Sequence, residues 1–562
     1  MTGKTGHGCV AAAEKPMPGL DAPAAICDLF AALAWDHMAS DSSSRHGGVA
    51  AGGDRAAGSR VNRAAITASI TCATIMQGVD TTITNVALPH IQGSLSASQD
   101  QVAWVVTSYI VAAAIMTPLT GWLAGRFGIK YVFLVSVIGF TLSSALCGAA
   151  ASLTQLVLYR LLQGVCGAAL VPLSQSVLFQ TNPPERHARA MAIWGTGTML
   201  GPIMGPALGG WLTDNWTWRW VFYINLPVGV LCALGILIFI HETGRTQREG
   251  FDFFGFAMLS LAIGAVQMLL DRGELKDWFG STEIWIEATI AALTLYLFIV
   301  HTATASARSF LDRDMLKDPN LVAGVVLMFF LGIILNGTMV LLPTMMQVLL
   351  NYPVVTAGFI IAPRGLGTMV AMFVVVRAIG RIDTRLVILS GLLLVAVSQW
   401  QMTGFSLTMG MQPILVSGIL QGFGLGLVFT PLSTVTFSTL PRQLLTQGTA
   451  LFSLTRNIGG SCGVAIVEAL LAENTQAIHS RLVENLRPDN PLAQAPYLAG
   501  RYSLSIPSGV AALNAEVTRQ AQMIAYIDDF YLMGVVIVVS LPLILLLRGR
   551  RRVTAEPALA IE

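Results

Sequence analysis

The sequence predicts an all-α membrane protein with fourteen transmembrane helices, and two observations support this fold class. The first is composition: of the 562 residues, 54% are hydrophobic and only 11% are charged, whereas soluble domains carry about 25% charged residues. The second is that fourteen apolar runs of about 20 residues, the length that crosses a bilayer core, follow one another along the chain. These observations exclude a soluble globular protein.

The predicted spans cover most of the chain. Their approximate bounds are 64–86, 101–124, 131–151, 155–180, 188–213, 219–241, 253–270, 284–304, 320–346, 355–377, 386–406, 412–432, 446–472 and 528–547. Residues 1–63 are rich in Ala, Gly, Ser and Asp, so they are interpreted as a disordered cytoplasmic tail or, since Met17 and Met38 are alternative starts, as an over-long gene start. No cleavable signal peptide is expected there.

Basic residues predict the orientation of the spans. With the amino terminus in the cytoplasm, the short inner loops carry thirteen Lys and Arg and the short outer loops carry three. Because basic loops stay on the cytoplasmic side, both termini are expected there, including a second tail at 549–562. The one long loop, 473–527, then lies outside.

The seven cysteines and eight histidines form no metal-binding pattern. No CxxC pair occurs, and most of the cysteines lie inside apolar runs, where they are interpreted as small packing residues. We therefore expect no metal and no cofactor. The sequence also lacks an HExxH motif, a nucleotide-binding loop and a Ser-His-Asp set, so neither an enzyme nor a nucleic-acid-binding protein is expected.

The chain contains an internal repeat. "GRFGIKYVFL" at 125–134 matches "GRIDTRLVIL" at 380–389, and "LQGVCGAALVPLS" at 162–174 matches "LQGFGLGLVFTPLS" at 420–433. The offsets of 255 and of 258 to 259 residues are nearly equal, which indicates a duplicated unit.

The repeat divides the predicted spans into three groups. A first half (64–241) and a second half (320–548) of six spans each flank two additional helices within 242–319, which gives a 6+2+6 arrangement. Two related halves with a substrate path between them are typical of a transporter.

Several segments together resemble the major facilitator superfamily, in its fourteen-helix drug:proton antiporter branch of the EmrB and QacA type. The segments are "VDTTITNVALP" (79–89), "GWLAGRFGIK" (121–130), "LVLYRLLQGVCGAA" (156–169), "GTGTMLGPIMGPALGGWL" (195–212), "WRWVFYINLPVG" (218–229) and, similar to the EmrB side, "LDRGELKDWF" (270–279). The resemblance covers roughly residues 64–548. It implies the major facilitator fold and a proton-driven exporter of amphiphilic drugs or toxic small molecules in the bacterial cytoplasmic (inner) membrane, without a cofactor.

The loop after the second span resembles the gating loop of that family. The resemblance assigns Gly121, Arg126, Gly128 and Lys130 to it. The acidic residue of the family motif is replaced by Gly125, so its charge-mediated gating role does not transfer to this chain.

Glycines and prolines interrupt the fifth span. Four glycines recur every four residues and line one helix face: Gly197, Gly201, Gly205 and Gly209. Such a face lets another helix approach to backbone contact, and Pro202 and Pro206 bend the same helix. We expect a tight seam against a helix of the second half, which by resemblance closes the cytoplasmic side when the carrier faces outward. The alternative is an ordinary tight helix contact.

Charged residues inside the predicted spans are candidates for function because the bilayer core penalises charge. When the other charged residues are assigned to tails and loops, Arg160, Arg364, Arg456, Asp80 and, near the outer end of its helix, Glu468 remain. This set contains the candidates for proton coupling and for substrate binding.

Asp80 and Arg160 are expected at similar depths. Asp80 lies about 24 Å from the inner face and Arg160 about 8 Å from the outer face. Burial favours the protonated form of a carboxylate and a nearby guanidinium favours the ionised form, so relative motion of the two would couple transport to protons. The alternative is a permanent ion pair that holds the first and fourth spans together.

Arg364 and Arg456 are expected near the membrane midplane, about 10 residues into their helices. Either they bind carbonyls or phospholipid, or they face the central cavity, where they would favour weakly acidic amphiphiles over lipophilic cations. Asn85 and Glu468 are further cavity candidates, although Glu468 is shallow enough to be solvated.

The function predicted from these features is proton-coupled export by alternating access. The expected partners are an amphiphilic substrate, protons and membrane lipid. The EmrB resemblance also implies a periplasmic adaptor and an outer-membrane channel in two-membrane bacteria, with the loop 473–527 as the contact unless that loop packs over the cavity. The alternatives are an exporter of one dedicated metabolite or siderophore-like product and, less favoured, a non-transporting membrane sensor.

Overall fold

In the computed structural model the chain is helical, and no β-strand occurs among its described residues. The described residues are 63–241, 250–304, 310–378, 381–484, 486, 502 and 506–547. The predicted tail 549–562 and all but the last residue of the tail 1–63 lie outside them, so the expected disorder of residues 1–63 stays a prediction.

The first half contains α1 to α10. Their bounds are α1 Arg63–Ser94, α2 Gln99–Met116, α3 Leu119–Phe127, α4 Ile129–Ala149, α5 Leu153–Gly167, α6 Leu170–Thr181, α7 His187–Thr198, α8 Leu200–Asn215, α9 Trp220–Tyr223 and α10 Asn225–Phe239. Several predicted spans are thus divided by short breaks. The break between α7 and α8 at Met199 precedes Pro202, which has no N–H to donate to the carbonyl of Thr198.

The rest of the chain contains α11 to α19. Their bounds are α11 Phe253–Arg272, α12 Thr282–Thr304, α13 Arg313–Leu316, α14 Pro319–Val348, α15 Val354–Ala378, α16 Thr384–Met402, α17 Met411–Thr436, α18 Leu445–Glu484 and α19 Pro507–Ser540. Short 3-10 helices lie at Pro184–Arg186, Glu274–Lys276, Trp278–Gly280 and Leu541–Leu546.

Eleven helical segments of the described residues are long and apolar enough to cross a membrane, with α5 and α6, and α9 and α10, each counted as one segment. The number is twelve if α2 and α3, bent by 55° at their break, form one span. The predicted number was fourteen. The remaining predicted spans coincide with α1, whose sequence is rich in Thr and includes Asp80, and with the broken pair α7 and α8. Polar residues lower the hydropathy of α1, and the break leaves α7 and α8, with 12 and 16 residues, too short to cross a membrane separately.

Within each half, the helices pack against one another. In the first half α1 contacts α8 and α10, and α2 contacts α5; in the second half α14 contacts α18, and α17 contacts α15 and α16. Helices α11 and α12, in the segment predicted to be additional to the two halves, pair with each other, and α11 also contacts α2 and α18. A buried apolar core that includes Phe133, Leu173, Trp194, Leu432 and Phe452 draws on both halves.

Both described ends of the predicted outer loop 473–527 are helical, and the position of this loop outside the membrane stays a prediction. Helix α18 continues to Glu484 and α19 begins at Pro507. At about 1.5 Å per residue, the 40 residues of α18 extend about 60 Å, twice the thickness of a hydrocarbon core. The Nε2 atom of His479 lies 3.0 Å from the Oδ1 atom of Asn514, so the two extensions contact each other.

Candidate proton-coupling site

Asp80 on α1 and Arg160 on α5 lie in direct contact. The Nη1 atom of Arg160 donates a hydrogen bond of 2.7 Å to Oδ2 of Asp80. Their side chains are 0% and 1% exposed, so the ion pair is sealed from solvent. The structure therefore brings together the two residues that the sequence analysis paired by depth.

Two amides that the sequence analysis missed complete the coordination of Asp80. Gln163, one helical turn after Arg160, donates to Oδ1 of Asp80 at 2.9 Å, and Asn225 at the start of α10 donates to the same oxygen at 2.7 Å. Both amides are buried. They stand inside quoted motifs, "LQGVCG" and "FYINLPVG", but carry no charge, so a search for intramembrane charges could not find them.

A second layer of contacts holds the donors in place. The Nε atom of Arg160 donates to the carbonyl of Val105 at 3.1 Å, and its guanidinium lies 4.4 Å from the ring centre of Tyr109. Asn225 also donates to Oγ of Ser144 at 3.0 Å. Helices α1, α2, α4, α5 and α10 thus meet at one buried polar cluster. Removal of one partner from such a cluster leaves an uncompensated charge, which typically costs about 3 to 5 kcal/mol.

Arg364 is buried without a partner for the ends of its guanidinium. The residue is 6% exposed, and Nη1 and Nη2 find no acceptor among the described residues. Helix α17 approaches α15 closely at this point. A Cβ on Gly422 would lie only 1.9 Å from the carbonyl oxygen of Arg364, so only glycine allows this approach. The alternative in which carbonyls bind both ends of the guanidinium is therefore not realised in the described part of the chain.

The other three cavity candidates are more accessible. Arg456 on α18 is half-buried, and no described carboxylate lies within salt-bridge distance of it. Asn85 on α1 and Glu468 on α18 are exposed. Among the described residues, no hydrogen bond or salt bridge joins these three residues to one another or to Arg364.

The glycine stripe of α7 and α8 faces α1, not the second half, which corrects the predicted partner of the seam. A Cβ on Gly201 would lie 2.8 Å from the backbone of Gly78, and one on Gly205 would lie 1.9 Å from Oγ1 of Thr82. Gly197 and Gly209 likewise face side chains of α1. Glycine periodicity identifies the face that packs tightly but not the helix that fills it.

The contact with the second half comes from another face of the same span. The side chain of Ile203 fills the space beside Gly365 on α15, and Pro206 lies against Gly358. Nearer the predicted cytoplasmic side, Oγ1 of Thr196 lies 3.5 Å from the sulfur of Met372. The fifth predicted span therefore packs between α1 of its own half and α15 of the other.

The predicted gating loop contacts both halves. Gly121 on α3 faces Gln447 of α18, where a Cβ on the glycine would lie 2.8 Å from Cγ of the glutamine. Gly128, with φ of 95°, ends α3 in a backbone conformation that favours glycine. The Nζ atom of Lys130 donates a hydrogen bond of 2.8 Å to the carbonyl of Leu237 near the carboxyl end of α10. A cation is favourable there because the helix dipole is negative at that end.

Two positions of the gating loop have no tight contact. The exposed side chain of Arg126 lies over the ring of Trp122, with 6.0 Å between the guanidinium carbon and the ring centre. A Cβ at Gly125 would meet no atom within 4 Å. The acidic residue of the family motif would therefore fit at this position.

An all-helical bundle with a buried ion pair and repeated sequence halves is typical of a membrane transporter. The comparisons with known proteins agree. The family model of the Major Facilitator Superfamily matches residues 70–464. The chain is 35% identical over 484 residues to the multidrug export protein EmrB of Escherichia coli K12, covering 85% of this chain and 94% of EmrB. The chain belongs to the Major Facilitator Superfamily, in its EmrB-type drug:proton antiporter family.

Two further proteins support this placement. The chain is 33% identical over 481 residues to the fatty acid resistance protein FarB of Neisseria gonorrhoeae, covering 85% of this chain and 95% of FarB. The solved structure of the proton:xylose symporter XylE superposes with a TM-score of 0.54 at 13% identity, covering 84% of this chain and 94% of XylE. At that identity the superposition shows the fold alone.

Proposed function

We propose that this chain exports amphiphilic small molecules, drugs among them, in exchange for protons by alternating access. The observation that carries the proposal is the sealed cluster in which Asp80 accepts hydrogen bonds from Arg160, Gln163 and Asn225. An ionisable pair inside a membrane protein is costly and is therefore a candidate for ion coupling.

The geometry sets a condition for proton binding. Both oxygens of Asp80 accept hydrogen bonds from N–H donors, and a carboxylate is the natural acceptor for such donors. A proton on either oxygen would displace a donor, so Asp80 takes up a proton only when α5 or α10 moves relative to α1. Proton uptake is in this way linked to a change of conformation, with Asp80 as the proton carrier and Arg160 as the group that tunes it.

The architecture that fits this function has fourteen spans in a 6+2+6 arrangement. Apart from the short α13, the described α-helices follow the fourteen predicted spans along the chain, and short breaks divide some spans into two helices. The distribution of basic residues supports an inner-membrane orientation with both termini in the cytoplasm. The proton gradient supplies the energy, and no cofactor is needed.

The substrate class we propose is the weakly acidic amphiphiles. The guanidinium ends of Arg364 are buried without an acceptor in the described residues, and the half-buried Arg456 adds a second positive charge. In a low-dielectric cavity, these charges attract an anionic group and repel a cation. The name of the relative FarB, a fatty acid resistance protein, agrees with this preference.

An adaptor contact is a further part of the proposal. The resemblance to the EmrB type implies that, in a two-membrane bacterium, this chain hands its substrate to a periplasmic adaptor and an outer-membrane channel. The extensions of α18 and α19 beyond the membrane thickness, joined at His479 and Asn514, offer a helical surface for the adaptor.

The proposed function is tested by Asp80→Asn in proteoliposomes. The amide keeps the shape of the carboxylate but cannot exchange a proton, so gradient-driven export is expected to be lost while substrate binding remains. Asp214→Asn, which alters a carboxylate whose side chain is 68% exposed, serves as the control and is expected to transport normally. If the Asp80→Asn carrier still concentrates substrate against its gradient, proton coupling lies elsewhere.

A further inference from the structure

The second half contains a polar cluster at the repeat position of the proton-coupling site, but that cluster is uncharged. Gln421 occupies the place in "LQGFGLG" that Gln163 occupies in "LQGVCG". Gln163 donates to Asp80, whereas Gln421 donates to Oγ1 of Thr338 at 3.1 Å. Gln399 lies 3.4 Å from the same hydroxyl. The ion pair of the first half therefore has no counterpart at this position.

A buried carboxylate lies elsewhere in the second half, on α19. Asp529 is 1% exposed, and no described residue donates a hydrogen bond to either of its carboxylate oxygens. Its neighbours Tyr526, Phe530 and Met533 belong to a buried apolar cluster that also contains Leu341 of α14, Met402 of α16 and Val467 of α18. Asp529 is thus buried on a helix that packs against three other helices of the second half, α14, α16 and α18.

The charged residues of the surrounding helices do not neutralise Asp529. Helix α14 has no charged residue, and α16 has only Arg385, near its start. The adjacent Asp528, which is exposed, adds a charge of the same sign. The other titratable or charged side chains of α18 and α19 are Arg456, Cys462, Glu468, Glu473, His479, Arg481, Glu484, Glu516, Arg519, Tyr526 and Tyr531. Among the described residues, no salt bridge involves Asp529.

We propose that Asp529 is a second proton-binding site of the exporter. A carboxylate enclosed in an apolar cluster without a donor is stable only as the neutral acid, so Asp529 holds a proton in this conformation. When α19 moves relative to α14 and α16 and admits water, the O–H bond breaks and the proton passes to that water. A proton from the opposite side restores the acid when the helices return. The proposal rests on the proposed function, because it adds one proton to the one that Asp80 carries.

The proton stoichiometry tests this inference. With the membrane potential clamped at zero, each exchanged proton supports about a tenfold substrate gradient per unit of pH gradient. At a pH gradient of about one unit, the wild-type carrier is expected to build about a 100-fold concentration gradient of a radiolabelled acidic quinolone. Under the same conditions, the Asp529→Asn carrier is expected to build about a tenfold gradient. Asp528→Asn, which changes the exposed neighbour, is the control and is expected to match the wild type.

Infrared spectroscopy supplies a second measurement that needs neither substrate nor transport. In wild-type protein with isotope-labelled aspartate, a protonated carboxyl band that shifts with the label is expected at neutral pH, and it should persist in Asp80→Asn and disappear in Asp529→Asn. A wild-type spectrum without such a band, or an Asp529→Asn carrier with an undiminished gradient, overturns the inference. Transport by Asp80→Asn would overturn the proposed function instead, so the two failures are distinguishable.

Discussion

At the scale of single residues, the two halves differ in whether their buried ionisable groups have hydrogen-bond partners among the described residues. Asp80 and Arg160 satisfy each other inside a cluster of amides, so the pair is electrically balanced. The guanidinium ends of Arg364 and the carboxylate of Asp529 have no hydrogen-bond partner among the described residues. A balanced pair responds to helix motion, whereas an unbalanced group responds to the arrival of a substrate or a proton.

The proposed preference for acidic substrates predicts a selective effect of arginine replacement. Arg364→Gln and Arg456→Gln are each expected to lower resistance to acidic amphiphiles and to leave resistance to neutral compounds unchanged, because only the charge is lost. Growth inhibition of cells that express equal amounts of each carrier measures both resistances. Arg442→Gln, in a predicted inner loop, is the matched control.

Two results would contradict that preference. An unchanged substrate range in both arginine variants would mean that the two residues bind lipid or backbone and never meet substrate. Protection of cells by the wild-type carrier against quaternary ammonium dyes, but not against acidic amphiphiles, would contradict the charge argument itself.

The sequence identifies the charged residues that lie well inside the predicted spans. It does not identify their uncharged hydrogen-bond partners, nor a carboxylate at the edge of a predicted span. Asp80 and Arg160 stand out because charge is rare in apolar spans. Gln163 and Asn225 do not stand out, although they donate to the same carboxylate. Asp529 was missed because the last span was predicted to begin at residue 528, which placed this carboxylate at a membrane surface, whereas α19 begins at Pro507.

At the scale of helices, the seam between α1 and α8 depends on the absence of side chains. A Cβ on Gly201 would lie 2.8 Å from a backbone carbon of Gly78, a distance that only a shift of the helices could relieve. On the same helix, a Cβ on Gly210 would meet no atom within 4 Å. The two glycines therefore form a natural pair of test and control.

Gly201→Ala is expected to destabilise the carrier and to impair export, because overpacking of a tight contact typically costs about 1 to 3 kcal/mol. Gly210→Ala is expected to leave stability unchanged or to raise it slightly, because alanine favours the helix over glycine. Thermal unfolding of the purified variants in detergent measures the difference. Equal melting temperatures for both variants would show that α1 and α8 do not pack as closely as described.

The helices also show where sequence periodicity stops being informative. Spacing of four residues identifies one face of α8, and that face is indeed tightly packed, but against α1. The contact with α15 is made by Ile203 and Pro206, which carry no periodic signal. The described ends of the predicted outer loop are helical although their polar residues interrupt the apolar pattern, because polar residues are compatible with a helix that leaves the membrane.

At the scale of the whole molecule, the additional helix α11 joins the two halves. Thr107 of α2 donates to Asp271, and Gln267 donates to Oγ of Ser461 on α18 at 2.7 Å. One helix thus holds a residue of each half. A carrier that alternates its access must move or break one of these contacts, so α11 takes part in the motion rather than standing apart from it.

The helical extensions beyond the membrane predict a partner effect. Replacement of residues 477–520 by a short flexible linker is expected to weaken co-purification of a co-expressed periplasmic adaptor, because the proposed contact surface is removed. Membrane insertion should continue, since the spans are retained. His479→Ala, which removes only the contact to Asn514, is the milder comparison. Undiminished co-purification after the replacement would assign the adaptor to other surfaces.

The two halves contact each other on the predicted cytoplasmic side, where α6 meets α18. The hydroxyls of Ser176 and Thr446 lie 2.7 Å apart, and the hydroxyl of Thr449 donates to the carbonyl of Pro172 at 3.0 Å. Export by alternating access requires this side to open to the cytoplasm. The contact must therefore separate once in each cycle.

A disulfide across this contact is expected to stop export. Hydroxyls in contact place the two Cβ atoms within reach of a disulfide, so Ser176→Cys combined with Thr446→Cys should crosslink under oxidation, block substrate export in proteoliposomes, and regain activity on reduction. The matched control is Thr74→Cys combined with Ser174→Cys, whose hydroxyls lie 3.1 Å apart on α1 and α6 of the same half. That crosslink joins helices that move together and should leave export intact. Continued export by a fully crosslinked first pair would mean that the halves do not separate at α6 and α18, and the entry path from the cytoplasm would have to lie elsewhere.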